Sequence, residues 1–229
     1  MENKLLARTP AKEFDRLRPQ LQEVELQFRT VLSEPDQPIT EVYFPTRGVI
    51  SLVNEPDDGE IVEFATVGNE GMVGFPILLG SSTMPSRVIV QVAGSALRIS
   101  ASDLLEALKV TPNLHRLLMR HVMALLNQIA QSTSCNRLHE VQERCARWLL
   151  HTHDRVAGDS FVLTQEFLSQ MLGVHRPTVS VAARMLSKAG LISYSRGRIE
   201  VIDRRGLEAA ACSCYRVIAD HYVRLLEED

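Results

Sequence analysis

No apolar run in this 229-residue chain approaches the roughly 18 residues that a membrane-spanning helix needs. The opening stretch, MENKLLARTPAKEFDRLRPQ, has no apolar core of signal-peptide length, so a cytoplasmic protein with no membrane partner is expected. Cysteine is sparse. Cys135, Cys145, Cys212 and Cys214 are too few and too scattered for a disulfide framework, and a reducing cytosol would keep them as thiols. The chain has no internal repeat and no low-complexity tract. It also has no constellation of nucleophile, acid and base, so no catalytic residue is assigned and catalysis is not expected. Overall positive charge is missing too, and a net charge of −3 excludes indiscriminate attraction to polyanions. What remains is ordinary for a soluble globular chain: 45% hydrophobic and 23% charged residues, with length for two modest domains.

The positive charge that exists is concentrated. From Phe161 to Gly206 seven Lys/Arg stand against three acids, about +4, which leaves about −7 on the rest. Within that segment Leu163 to Ile192 reads LTQEFLSQMLGVHRPTVSVAARMLSKAGLI. Thr164 is placed to cap a first helix, with Leu163 and Leu168 at the staple positions around it. Phe167, Leu168, Met171 and Leu172 recur at helical spacing. Gly173 permits the positive φ of a sharp turn, and Pro177 suits the opening of a second helix. Val179, Ala183 and Leu186 point one way; Arg176, Ser180, Val181 and Arg184 point another. These features predict a helix-turn-helix whose second helix can enter a major groove. Apolar and polar residues then alternate on both sides of Arg196-Gly197, which predicts a β-hairpin and completes a winged helix. The expected DNA-binding residues are Thr164 and Gln165, then His175, Arg176, Thr178, Ser180 and Arg184, then Arg196 and Arg198 at the wing. Two alternatives stay open: a plain helical hairpin in a bundle, and a winged helix that binds protein and not DNA.

The amino-terminal half is organised differently. Residues 1–35 read as amphipathic helix, with Leu17, Leu21, Val24 and Phe28 at helical spacing. Short β-rich runs follow at 42–44, 49–53, 61–65, 88–92 and 96–99. Turn signals separate them at Pro45 to Gly48, Asn54 to Gly59, Gly68 to Gly71, Gly80 to Pro85, and Gly94-Ser95. The pattern predicts a small antiparallel barrel or roll. From Pro112 to about His153 a single long helix is expected. Leu118, Val122, Leu125 and Ile129 recur at 4-3-4 spacing and continue through Ser132, Asn136 and His139. That is a heptad seam, with Asn136 able to fix register, and it predicts a homodimer. The start of the stripe also serves to pack on the chain's own roll.

A β-roll, a long dimer helix and a carboxy-terminal winged helix, in that order, resemble the Crp/Fnr family of bacterial transcription regulators. The motifs that carry the likeness are GVHRPTVSVAARMLSKAGLI and the stretch from YFPTRGVISLV to GNEGMVGF. The resemblance implies an α+β fold: an antiparallel β-roll of the double-stranded β-helix type over residues 1–110, a dimerisation helix and hinge over 111–153, and a winged helix over 154–229. It implies a homodimer on inverted-repeat double-stranded DNA, with RNA polymerase as a further partner if the protein activates. Members that bind cyclic AMP carry Gly-Glu and Arg-Ser in the roll and Thr-Ser on the dimer helix. Here Gly74 is followed by Phe75-Pro76, the Arg-Ser site falls on Pro85-Ser86 with Arg87 displaced, and the Thr-Ser site falls near Ile129-Ala130. Without an acceptor for the ribose or an arginine for the phosphate, cyclic AMP is not expected, and any small effector is unidentified. The family's iron–sulfur branch uses amino-terminal cysteines, and none precedes Cys135 here.

No metal site is assigned. Cys135 and His139, four residues apart, read as a buried thiol beside a polar seam histidine. The alternative is a metal- or redox-responsive regulator, in which two such pairs across a dimer form a Cys₂His₂ zinc site. Cys212 and Cys214, two apart in an expected helix, point to different faces and are not expected to ligate together.

Overall fold

The computed structural model describes residues 2–55 and 61–227. Two short helices, α1 (Lys4–Ala7) and α2 (Ala11–Leu17), lead into the strands β1 (Gln22–Leu26), β2 (Val31–Ser33), β3 (Glu41–Asn54), β4 (Val62–Val67) and β5 (Arg87–Ser100). Helices α3 (Ala101–Leu108), α4 (Pro112–Leu138) and α5 (Val141–His153) follow, then β6 (Ser160–Val162), α6 (Gln165–Leu172), α7 (Arg176–Lys188), the strands β7 (Ile192–Ser195) and β8 (Arg198–Val201), and finally α8 (Arg204–Ala210) and α9 (Cys214–Glu227).

The roll is one antiparallel sheet in the order β1-β5-β3-β4, with β2 added to β5. Runs that the sequence divides at Pro45–Gly48 and at Gly94 are continuous 14-residue strands, β3 and β5, paired along their length with register shifts from Pro45 to Ile50. These bulges bend the sheet on itself. Glycine is required at the bend: a Cβ on Gly94 would sit 2.2 Å from Arg47 O, and one on Gly48 (φ +86°) 2.5 Å from Val92 O. The sheet closes over Leu26, Ile50, Leu52, Ala65, Val67, Val73, Val88, Val90, Ala96 and, from α4, Leu125.

Two expectations are corrected here. Residues 22–26 and 31–33 are strands and not helix, because the edge of β5 offers them a ladder. Val24 is partly buried against the roll core, and Phe28 lies in the connection from β1 to β2. The expected turn at Asn54 to Gly59 lies mostly outside the described residues. The long helix is two helices, broken at His139-Glu140, where both backbones are extended. Glu140 and Glu143 form a capping box that starts α5, with Glu140 N donating to Glu143 Oε2 at 3.1 Å.

The winged-helix core is built from α5 (Cys145, Ala146, Trp148, Leu149, Leu150) with Phe167, Leu168, Leu172, Val179, Leu186, Ile192 and Ile199. Helix α5 therefore packs with the carboxy-terminal unit, although the expected division places it in the hinge. Helix α9 leaves that unit and returns to the other end, where Ile218, Tyr222 and Leu226 join Leu114, Leu117 and Leu118 of α4. The expected seam is a real stripe with a different partner. Leu118 and Leu125 are 0% exposed and Val122 3%. Ile129 packs partly on the roll, and Ser132 is buried, within 3.5 Å of Arg147 Nη1. These side chains are covered by their own chain, so the seam residues Leu118, Val122 and Leu125 are not open to a second copy. Asn136 is exposed, beside Arg147 and Trp148.

Candidate nucleic-acid interface

Helix α6 begins where Thr164 Oγ1 accepts the Phe167 N–H at 3.1 Å, so that hydroxyl serves as the cap. It ends at Gly173, φ +60°, with Val174 N donating to Ser169 O at 3.1 Å. Arg144 of α5 braces the same turn, its Nη2 donating to Leu172 O at 2.5 Å. Helix α7 then carries Pro177 in its first turn, where no N–H is needed. It buries Val179, Ala182, Ala183 and Leu186. His175, Arg176, Pro177, Thr178, Val181, Arg184 and Met185 are exposed on the other side. Ser180 is half-buried, within 2.7 Å of Gln165 Oε1 and 3.0 Å of Arg176 O as donor. Gln165 and Ser180 thus hold the two helices together, and Ser180 keeps only its lone pairs for a further partner.

The wing is a three-stranded sheet in the order β6-β8-β7. Arg196 (φ +48°) and Gly197 (φ +75°) both take positive φ, as a two-residue type I′ hairpin turn requires. Leu163 N donates to Gly197 O at 2.8 Å, which fixes the turn beside the start of α6. Arg196 and Arg198 are exposed, with Arg198 Nη1 donating to Ser160 Oγ at 3.1 Å. Arg204, counted in the basic segment, is spent internally. It pairs with Asp154 at 2.6 Å and Glu208 at 3.0 Å and donates to Tyr215 Oη at 2.7 Å.

The roll meets the winged helix through polar contacts that the sequence reading missed. Ser51 Oγ lies 2.7 Å from Glu63 Oε2 and 2.6 Å from Gln91 Oε1. Gln91 Nε2 donates to Thr152 Oγ1 of α5 at 3.0 Å, and Trp148 Nε1 donates to Glu63 Oε1 at 2.8 Å. Burial pushes the Glu63 carboxyl up to about 7, against the opposing pull of these hydrogen bonds and of Arg147. Nearby, Arg155 pairs with Glu70 at 2.6 Å, both buried. Phe28 and Phe167 meet across the same boundary as a tilted ring pair with centroids 5.7 Å apart.

The residues aligned above with the family's Gly-Glu and Arg-Ser contacts have partners within the chain. Phe75 and Pro76 open a 3-10 turn in which Pro76 and Ile77 are buried. Ser86 donates to Asn54 Oδ1 at 2.6 Å. Arg87 pairs with Glu34 at 2.8 Å and Glu55 at 2.5 Å. His121 of α4 closes on the Gly71 turn, its Nε2 3.1 Å from Met72 N, and burial holds it down to about 4.

Cys135 and His139 lie together at the end of α4, as their spacing implies, but their neighbours are Cys212 and Cys214 of the same chain. The expectation that Cys212 and Cys214 diverge is corrected: Cys212 lies before α9 in the connecting loop, so helical faces do not apply to it.

Two sequence models account for this arrangement. The cyclic nucleotide-binding domain matches residues 23–110, and the Crp-like helix-turn-helix domain matches residues 143–210. The chain belongs to the Crp/Fnr family. It is a Crp/Fnr-type DNA-binding transcription regulator, and its roll, long helix and winged helix form that family's α+β fold. Among solved structures it is similar to FixK2 from Bradyrhizobium japonicum, at 19% identity and a TM-score of 0.71 over 84% of this chain and 98% of that one. It is also similar to a Crp/Fnr-family transcriptional regulator from Eubacterium rectale (16%, TM-score 0.69, 91% and 99%). A third is CLP of Xanthomonas campestris, described as a c-di-GMP-responsive global regulator (18%, TM-score 0.66, 84% and 99%). At these identities the likeness is one of fold. No curated protein matches the chain. Among the described residues no helix is long and apolar enough to cross a membrane.

Proposed function

We propose that this Crp/Fnr regulator acts as a homodimer on inverted-repeat DNA, and that its roll does not take cyclic AMP. The observation that carries the reading is the exposed face of α7, with Arg176 and Arg184 outward and the Arg196-Gly197 wing turn beside α6. Arg176 and Arg184 supply base-edge donors, Val181 supplies a methyl contact to thymine, and His175, Thr178, Arg196 and Arg198 suit phosphates. Pro177 has no hydrogen-bonding group for a base and Val181 no polar one, so hydrogen bonds to base edges on this face fall to Arg176 and Arg184.

Dimerisation is assigned to the other face of α4. Met119 (37% exposed), Met123 (48%) and Leu126 (51%) are followed by exposed Ala130, Thr133 and Arg137, which is 4-3-4-3-4 spacing one residue out of phase with the covered stripe. Against cyclic AMP stand the Phe75-Pro76 turn and the engagement of Arg87 by two carboxylates. Nor is any enzymatic role assigned.

Selection of bound fragments from random duplex DNA tests the reading. The expected product is a symmetric site with half-sites about 34 Å apart. Enrichment of unsymmetrical sites, or of none, would overturn it. Cyclic AMP at millimolar concentration should leave the melting temperature unchanged.

A further inference from the structure

The end of α4, the loop after α8 and the start of α9 bring four ligand-type side chains together. Cys135 Sγ and Cys212 Sγ are 3.4 Å apart, and so are Cys214 Sγ and His139 Nδ1. All four ligand atoms lie within 4.8 Å of one another. The three thiols are buried and form a cluster of their own, separate from the apolar cores. Cys135 and Cys212 are 77 residues apart in sequence, so no local pattern accounts for the meeting.

We propose that Cys135, His139, Cys212 and Cys214 form a tetrahedral Cys₃His site for a zinc-class divalent ion, which ties the end of α4 to the start of α9 at the break between α4 and α5. Three thiolates and one imidazole are the donor set of structural zinc. With Zn–S near 2.3 Å and Zn–N near 2.0–2.1 Å, the edges of such a tetrahedron measure about 3.5–3.8 Å. The two 3.4 Å contacts are already at that size, and the remaining ligand atoms need to move inward by no more than about 1 Å. All four ligands come from one chain, so the site does not require a dimer.

Two independent features point to an anionic centre here. Gln131 Nε2 donates to Cys214 Sγ at 3.0 Å, an outer hydrogen bond of the kind that orients a ligating thiolate. Arg144 and Arg147 are buried nearby, 6% and 8% exposed, and each leaves its Nε without a hydrogen-bond partner. Neither makes an ion pair with a carboxylate among the described residues, yet both exert their charge on Cys135 or Cys212. Buried guanidinium groups call for negative charge. Three thiolates around a divalent ion supply one net negative charge, and each thiol that ligates releases its proton to solvent. A Cys135–Cys212 disulfide would need an external oxidant, and it would give no part to Cys214 and His139.

The test uses the full-length chain without a polyhistidine tag. Protein from zinc-supplemented cells should carry one zinc per chain by elemental mass spectrometry. Replacement with cobalt(II) should produce the thiolate charge-transfer band and the strong visible bands of tetrahedral cobalt. Zinc at about a hundred times its dissociation constant should raise the melting temperature of chelator-stripped protein by about 5–10 °C, and magnesium should not. His139→Ala and Cys214→Ser should lose the cobalt spectrum, and Cys145→Ala, in the winged-helix core, should keep it. If the variants fail to fold, the wild-type spectrum still decides. Octahedral cobalt, sub-stoichiometric zinc, or a Cys135–Cys212 disulfide in protein kept under reducing conditions would each overturn the site. The readout needs no DNA, so it stands or falls apart from the operator reading.

Discussion

Leu125 and Leu126 are consecutive in α4 and have opposite surroundings. Leu125 is 0% exposed inside the roll, whereas Leu126 is 51% exposed on the free face. The pairs Leu118/Met119 and Val122/Met123 repeat the contrast, so the helix has two apolar stripes one residue out of phase. A heptad pattern reports that a stripe is covered and does not say by what. The covered stripe holds the chain's own units together, and the exposed one is the face to which dimerisation is assigned above. The arginines of the carboxy-terminal unit divide likewise. Arg144, Arg147 and Arg155 are buried, while Arg176, Arg184, Arg196 and Arg198 face solvent.

The sharpest way to break the comparison is at the two leucines. Leu125→Ala should cost about 2–5 kcal/mol of unfolding free energy by denaturant titration, because it opens a cavity in the roll. Leu126→Asp should change protomer stability by no more than about 0.5 kcal/mol. It should nevertheless yield monomers by sedimentation and greatly weaken DNA binding. If Leu126→Asp stayed dimeric, the assignment of the free stripe would be wrong.

The boundary between roll and winged helix has a pH signature of its own. Glu63 titrates at about 7 in the folded chain against 4.5 ordinarily, because of burial. Between those values the folded state holds a proton that the unfolded chain has released, so stability falls as pH rises through the window. Glu63→Gln should therefore stabilise the protein by about 1–3 kcal/mol above pH 7 and change nothing below pH 4.5. Equal gains at pH 8 and pH 4 would show that packing, and not ionisation, sets the cost. His121 acts in the opposite sense. Held neutral down to about 4 by burial, it contributes stability that is lost as pH falls from 6.5.

Smaller effects separate the exposed arginines from one another. Arg176→Ala should cost about 1–3 kcal/mol on the selected site and relax one base position, with unchanged melting. Arg196→Ala should weaken all sequences alike and reduce the salt slope of log K by about one. A base-specific loss at Arg196, or a uniform one at Arg176, would reverse the two roles.

Where the sequence was a sound guide, the information was local. Thr164, Gly173 and Pro177 each impose a backbone state within a few residues, and the helix-turn-helix follows from them. Arg196-Gly197 marks the wing turn in the same way. Leu17, Leu21, Val24 and Phe28 misled because their helical spacing was accidental and the edge of β5 claimed the later residues for strands. The start of α5 went unread because Glu140 is an unusual cap, recognisable only with Glu143 turned back on it. The bond between Ser180 and Gln165, both expected DNA contacts, went unread because it joins side chains of two different helices.

The winged helix, the presence of a roll and its order relative to the long helix were legible in the sequence. These rest on turn chemistry, side-chain periodicity and residue type, which act over a few positions. Only the tertiary structure decided which stripe of α4 is covered, which arginines are buried, and that Cys135 and His139 meet Cys212 and Cys214. Those outcomes depend on distant segments arriving at one place: Cys135 and Cys212 are 77 residues apart, and Gln128 and Tyr222 are 94 apart. Such meetings carry no local signature, because periodicity and turn chemistry act over a few positions, while the slowly growing cost of loop closure permits contacts at almost any separation.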